Sequence, residues 1–236
     1  MDALTVSFRS GDGMRTRSVG AAVRSAVLNV PIPPARLLAD WHREISVQLG
    51  LGAGDIEALP LTRTRLRWPE LPHCFAAVAQ WLETLGVPDV LGTCEVALMA
   101  SRGTGYHHDG ARYGSKAFCN VFLSADSGTD FHFPAAAHRI ALVRGTAVIF
   151  DPCQPHAIIK RNASAFAAAD FASDAMRPQV FLTWELPVEH DAVQAILGVG
   201  FDRAPLTPAQ SRVEQVWRNG APVTLCPETG SWLGVA

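Results

Sequence analysis

The chain has 236 residues, 48% apolar and 18% charged, which excludes a disordered polymer and is enough for one sizeable core. Twenty basic residues against 22 acidic ones leave a net charge of −2, so no broad basic surface for nucleic acid is expected. No apolar run reaches the length of a membrane span, and no secretory h-region opens the sequence. The five cysteines (Cys74, Cys94, Cys119, Cys153 and Cys226) are odd in number, widely spaced and without a Cys-x-x-Cys pair. A disulfide framework and a structural zinc site are therefore not expected, and a reducing cytoplasm is the simplest compartment.

Residues 1–30 carry weak signals. Residues 35–49 predict a helix: Leu37, Leu38, Trp41, Ile45 and Leu49 share one face, Pro33 and Pro34 precede it, and Gly50 stops it. Residues 61–68, LTRTRLRW, alternate and read as a strand, with Arg63, Arg65 and Arg67 on one solvated face. A second helix is expected over 73–85, with Phe75, Val78, Trp81, Leu82 and Leu85 inward and Gly86 as its stop. From about 92 to 186 short apolar or alternating runs are separated by turn residues, which indicates a set of short strands. An Ala-rich stretch, 162–175, interrupts two of them. From Thr207 the chain reads as helical again, with Thr207 and Gln210 placed for a capping box, Pro208 at the first helical position and Gly220 at the end. The expectation is one domain, mainly β: a jelly roll over 92–186, buttressed by a helical and mixed segment 1–91 and a helical extension 187–236.

Histidine placement is the best clue to chemistry. Five of the eight lie between 107 and 156: His107, His108, His132, His138 and His156. In Gly105-Tyr106-His107-His108-Asp109-Gly110, residues 107 and 109 share one side of a strand. One imidazole and one carboxylate can then bind one metal, and a further histidine completes a two-histidine, one-carboxylate facial triad. Such a triad leaves three positions open, which a closed four-ligand site does not. His156 follows a strand and a turn, 47 residues after Asp109. His108 is the alternative to His107, but adjacency to Asp109 puts those two on opposite faces. His132 and His138 read as structural or solvent-facing, and His42 and His190 as exposed.

The order His107-x-Asp109, then SGTDFHF, then Gly145 to Phe150-Asp151, then His156, then a strand led by Arg177 resembles the Fe(II)/2-oxoglutarate-dependent dioxygenase superfamily. The resemblance covers residues 92–186. It implies a double-stranded β-helix, Fe(II) held by His107, Asp109 and His156, and O2 and 2-oxoglutarate as cosubstrates. It also implies a basic residue, on the strand after the distal histidine, for the far carboxylate of 2-oxoglutarate. Arg177 suits that place best, because its planar fork matches a carboxylate. In the family that residue follows the histidine by about ten positions; here Phe166 stands there, and Lys160 and Arg161 are the alternatives to Arg177. Asn120 and Tyr106 are candidates for further contacts to the cosubstrate, and Tyr113 is a second phenol beside the cluster.

The implied activity is oxygenation, by default hydroxylation, of a small-molecule or peptidyl substrate. A carboxylate at 109 argues against halogenation, which in this family goes with a small residue there. Three rivals remain at this stage. A cupin would want two histidines one residue apart and a downstream glutamate, and no glutamate occurs from 96 to 184. A non-catalytic jelly-roll binding protein would not need an intact triad. A nucleic-acid repair oxygenase would need a basic groove with stacking aromatics, for which LTRTRLRW is the one candidate.

Overall fold

The computed structural model describes residues 4–172, 177–201 and 207–234. In chain order its strands and helices begin with β1 (Leu4–Ser10), β2 (Gly13–Ser18), β3 (Arg24–Val27), α1 (Ala35–Arg43), β4 (Ile56–Leu59), α2 (Leu61–Arg67) and α3 (Leu71–Thr84). The middle holds β5 (Val96–Ser101), β6 (Thr104–His107), α4 (Gly110–Tyr113), β7 (Lys116–Phe122), β8 (Thr129–Phe133), β9 (His138–Ala141), β10 (Thr146–Phe150), β11 (His156–Lys160) and β12 (Gln179–Pro187). The chain closes with α5 (Asp191–Leu197), β13 (Gln215–Arg218), β14 (Ala221–Leu225) and β15 (Trp232–Gly234).

From β5 to β12 the chain passes back and forth between two antiparallel sheets. One has the order β3-β10-β7-β12-β5-β4, the other β6-β11-β8-β9. This is the jelly roll that the strand pattern predicts. The period of two explains the layers. Every residue of β10 is buried, because its alternate side chains enter two different cores. Val148 and Phe150 point between the sheets, with Phe122, Phe131, Phe133, Ile158 and Phe181. Ala147 and Ile149 point the other way, to Leu37, Trp41, Ile45, Cys74, Val78 and Leu82 of the helical layer. Each such buried apolar side chain contributes about 1.5–3 kcal/mol. The N-terminal helical buttress is thus present, although the first predicted helix changes to π-helical turns over Glu44–Leu49 before Gly50 ends it.

Two expectations are corrected. Residues 61–67 form helix α2, not a strand. Arg and Leu favour helix, and an alternating run of seven residues is too short to fix a period. In the helix Arg63 and Arg67, one turn apart, share a face and pair with Glu44 at 2.7 Å and with Asp40, while Arg65 falls on another face. The tail after Thr207 forms three short strands and, among the described residues, no helix. The Thr207 amide does donate to Gln210 Oε1 at 2.9 Å, which is half of the capping box, but the turn does not propagate. Asn219 and Gly220 both have positive φ and form the tight turn between β13 and β14. Asn-Gly there is a hairpin signal, not a helix stop. These strands complete a third sheet, β15-β14-β13-β1-β2, built from both ends of the chain. Among the described residues no helix is long and apolar enough to cross a membrane.

Candidate metal centre

His107 ends β6 and His156 begins β11, and the two are directly opposed in register. Their ring centroids lie 4.3 Å apart. Asp109 follows β6 at the start of the short helix α4, where its amide donates to the Pro152 carbonyl at 2.8 Å. That bond ties the Asp109 turn to the loop that leads into His156. The ligating atoms of His107, Asp109 and His156 come within 4.8 Å of one another, and Asp109 Oδ2 is 3.7 Å from His156 Nε2.

The ring orientation is set by the backbone. His107 Nδ1 lies 2.9 Å from the Gly105 carbonyl, and His156 Nδ1 lies 2.9 Å from the Gln154 carbonyl. A carbonyl can only accept, so each Nδ1 carries the proton and each Nε2 presents a lone pair. This arrangement is what metal-ligating histidines require. Burial, and next the neighbouring His107 ring, push the His156 imidazole well below its usual value. It is therefore neutral at physiological pH. Burial also raises the Asp109 carboxyl, opposed by His107 and Arg112. A desolvated carboxylate beside two imidazole nitrogens is a donor set that suits a divalent cation. Phe131, Phe133 and Phe150 wall the far side of His156, with ring centroids 5.8, 6.2 and 5.0 Å away.

The third sheet supports this centre, which the sequence reading missed. Arg17 on β2 is fully buried and spends all five N–H donors. Its Nε donates to the Gly114 carbonyl, Nη1 to Ser18 O and Asp151 Oδ2, and Nη2 to Asp151 Oδ1 and Cys153 Sγ. Asp151 also accepts from the Gly20 and Cys153 amides. One guanidinium thus holds both loops that carry ligands. The same loops need glycine at the contact: a Cβ on Gly110 would lie 2.6 Å from Val216, and one on Gly114 2.4 Å from Phe8.

The other predicted site residues divide. Asn120 does face the space between the sheets: it is flanked by Phe118 and Phe122 on the same strand face and is opposed by Val148 and Thr183. Tyr106 faces the opposite side of its sheet. Its hydroxyl lies 2.5 Å from His132 Nδ1 and donates to the Ser164 carbonyl, and its ring packs with Ala157, Ile159 and Phe166. The Ala-rich insertion, as far as the described residues follow it, folds over this outer face, with Phe166 stacked on Phe171. Tyr113 is the phenol on the inner side, edge-on to Phe118 at 4.8 Å. Arg177 is exposed and lines a cleft of about 470 Å³ with Leu38, His42, Arg144 and Val180, on the helical side of the large sheet. Lys160 meets Asp170 at 3.4 Å, and Arg161 meets Asp126 and Asp130 at 2.9 Å each. None of these three cations joins the triad. His108 turns to Trp232 at 4.8 Å and accepts from the Gly110 amide, so it is not a fourth donor.

No family model and no curated protein sequence matches the chain. Solved structures with a similar arrangement include the viral collagen prolyl hydroxylase of Paramecium bursaria Chlorella virus-1 in its 2-oxoglutarate complex, at 11% identity and TM-score 0.39 over 70% of this chain and 94% of that one. The 2-oxoglutarate-dependent epimerase SnoN of nogalamycin biosynthesis is 13% identical, at TM-score 0.36 over 70% and 78%. A 2-oxoglutarate-Fe(II) oxygenase family oxidoreductase of Burkholderia pseudomallei is 15% identical, at TM-score 0.27 over 40% and 46%.

Proposed function

We propose that this chain is an Fe(II)-dependent oxygenase that uses a 2-oxo acid, with 2-oxoglutarate the cosubstrate its sequence pattern implies, and that it hydroxylates a small-molecule or peptidyl substrate. The observation that carries this reading is the convergence of His107, Asp109 and His156 within a jelly roll, both histidines oriented through Nδ1. Two imidazoles and one carboxylate fit Fe(II) and leave positions open. Arg177, Lys160 and Arg161, the three cations considered for the second carboxylate of 2-oxoglutarate, all stand away from the triad.

When bound, iron and the oxo acid supply the activation of O2 coupled to oxidative decarboxylation. The chain's own contribution is positional. The Gly105 and Gln154 carbonyls hold the two rings, so little reorganisation accompanies binding. The phenylalanine wall behind His156 excludes water from that side. Tyr113, Lys116 and Glu185 stand around Phe118 at the outer end, where a substrate would enter.

The test is an anaerobic titration of the purified protein with Fe(II) and 2-oxoglutarate, following the weak visible charge-transfer band of the chelate, with Asp109→Ala as control. A band in the wild type alone supports the reading. Metal binding without a band argues for a cupin-type site, and no metal binding removes the enzyme reading altogether.

A further inference from the structure

The inward face of the large sheet can be read row by row from its register. Phe150, Phe118 and Glu185 form one row, and Phe150 touches the His156 ring. The next row inward is Val148, Asn120, Thr183 and Ala97. The row beyond is Phe122, Phe181 and Met99. Of these residues, Ala97, Met99, Phe118, Thr183 and Glu185 remain partly open to solvent although they face inward, as do Gly105 and His107 opposite. They outline a trough that runs from the triad past Thr183.

Beyond the Glu185 carboxylate and the His107 ring at its triad end, the chemistry of that trough is neutral. Its described walls there are methyl, thioether and phenyl groups, one hydroxyl and one primary amide. The nearby cations stand at the outer end: Lys116 lies 3.9 Å from Glu185, and the Arg112 guanidinium lies over the Tyr113 ring. Lys160, at the far end of β11, turns outward to Asp170. Asn120 is 5% exposed, and its Oδ1 is buried with no hydrogen-bond partner. An unpaired acceptor there calls for a donor or a neutral neighbour, not for a second anion. A carboxylate buried without a countercharge is strongly disfavoured.

We propose that the trough receives the far end of the cosubstrate on a neutral surface, so that the site takes 2-oxo monocarboxylic acids with apolar side chains at least as well as it takes 2-oxoglutarate. This rests on the oxo-acid reading above. The shared head, a 2-oxo carboxylate, is the part a metal chelates. The tail is the part these walls select, and branched aliphatic or aryl groups suit phenylalanine, methionine and alanine better than a charge does.

The experiment compares 2-oxoglutarate with 4-methyl-2-oxopentanoate on the wild-type protein. Both are titrated anaerobically into the Fe(II) form, read by the chelate band, and into the Zn(II) form, read by calorimetry. The expected result is a dissociation constant for 4-methyl-2-oxopentanoate equal to or below that for 2-oxoglutarate, within a factor of three. Thr183→Lys, which adds an ammonium to the trough, should tighten 2-oxoglutarate at least tenfold and leave the monocarboxylate unimproved. If the wild type prefers 2-oxoglutarate by tenfold or more, the inference is overturned while the oxygenase reading stands. If the metal binds and neither oxo acid does, both are overturned. The wild-type comparison decides the matter even if the variant does not fold.

Discussion

Arg17 and Asp151 meet through two parallel hydrogen bonds, of 2.6 and 2.9 Å, with both side chains removed from solvent. Arg17 comes from the third sheet and Asp151 from the loop before His156, so the pair fastens a platform made from the chain's two ends to the metal centre. Breaking such a pair on one side leaves a buried charge and costs about 3–5 kcal/mol, whereas replacing both partners by apolar groups is often neutral. Arg17→Met alone should therefore be strongly destabilised. The double variant Arg17→Met, Asp151→Leu should recover most of the loss. Its Co(II) affinity should nonetheless be weaker by about 10–100-fold, the usual effect of removing an outer support of a metal site. Thermal unfolding with Co(II) absorption titration checks both parts. A stable double variant with wild-type Co(II) affinity and spectrum would show that the pair is only structural.

The triad itself makes a plainer prediction. Asp109→Ala and His156→Ala should each weaken Co(II) or Fe(II) binding by more than about 100-fold, beyond the range for an outer support. His108→Ala should leave the affinity within a factor of about three, since His108 faces Trp232 and not the ligands. With metal at about 100 times its dissociation constant, the wild type should gain about 2.7 kcal/mol of stability, which a chelator removes. Calorimetric titration of the three variants measures this. Loss of binding in His108→Ala to the same degree as in Asp109→Ala would move the site.

How far the sequence carried is visible in particular residues. His107 and Asp109 were legible because an i, i+2 pair on a strand end must share a side, and His156 because a strand–turn–strand separates it from them. The segment 61–67 misled because Thr and Arg alternate by chance over two helical turns. Asn219-Gly220 misled because a helix stop and a tight hairpin turn both favour such residues. Tyr106 was one residue off: its neighbours Gly105 and His107 face inward, so it must face out. Arg17 gave no signal at all. An arginine among four charged or polar residues of a weakly patterned six-residue strand looks solvated, and only the tertiary fold brings Asp151 to it.

The outward placement of Tyr106 predicts a separation of stability from metal binding. Tyr106→Phe removes the hydroxyl contacts to His132 and the Ser164 carbonyl. Each such bond is worth about 0.5–1.5 kcal/mol. The variant should lose about 1–2 kcal/mol in denaturant unfolding while its Co(II) affinity and oxo-acid binding stay at wild-type values. Tyr113→Phe should do the reverse, leaving stability nearly unchanged and altering the chelate band or substrate binding, because its ring borders Phe118 on the inner side. A twofold or smaller change in every binding readout for Tyr113→Phe would remove that phenol from the site.

The depressed histidines set the pH response of the metal-free protein. Burial, first of all, lowers His156, His108 and His132 relative to the unfolded chain, with His107 adding to the first two shifts and Arg139 to the third. As pH falls below the ordinary imidazole value of about 6.5, the unfolded chain takes up protons that these three native side chains refuse. The unfolded state then binds more protons, so stability rises with pH in that window and falls on acidification. Each residue contributes a slope of up to about 1.4 kcal/mol per pH unit between its native and unfolded values, and none above them. The metal-free protein should therefore show a flat unfolding free energy from pH 7.5 to 8.5 and a decline from about 6.5 toward 5. His156→Phe, which extends the wall of Phe131, Phe133 and Phe150, removes one of the three contributions and should flatten the decline by up to that single-residue slope. Urea unfolding across that pH range measures it. A wild-type curve that stays level from pH 7.5 to 5 would contradict the buried, neutral state of His156, and with it the lone pair at Nε2 on which the metal centre depends.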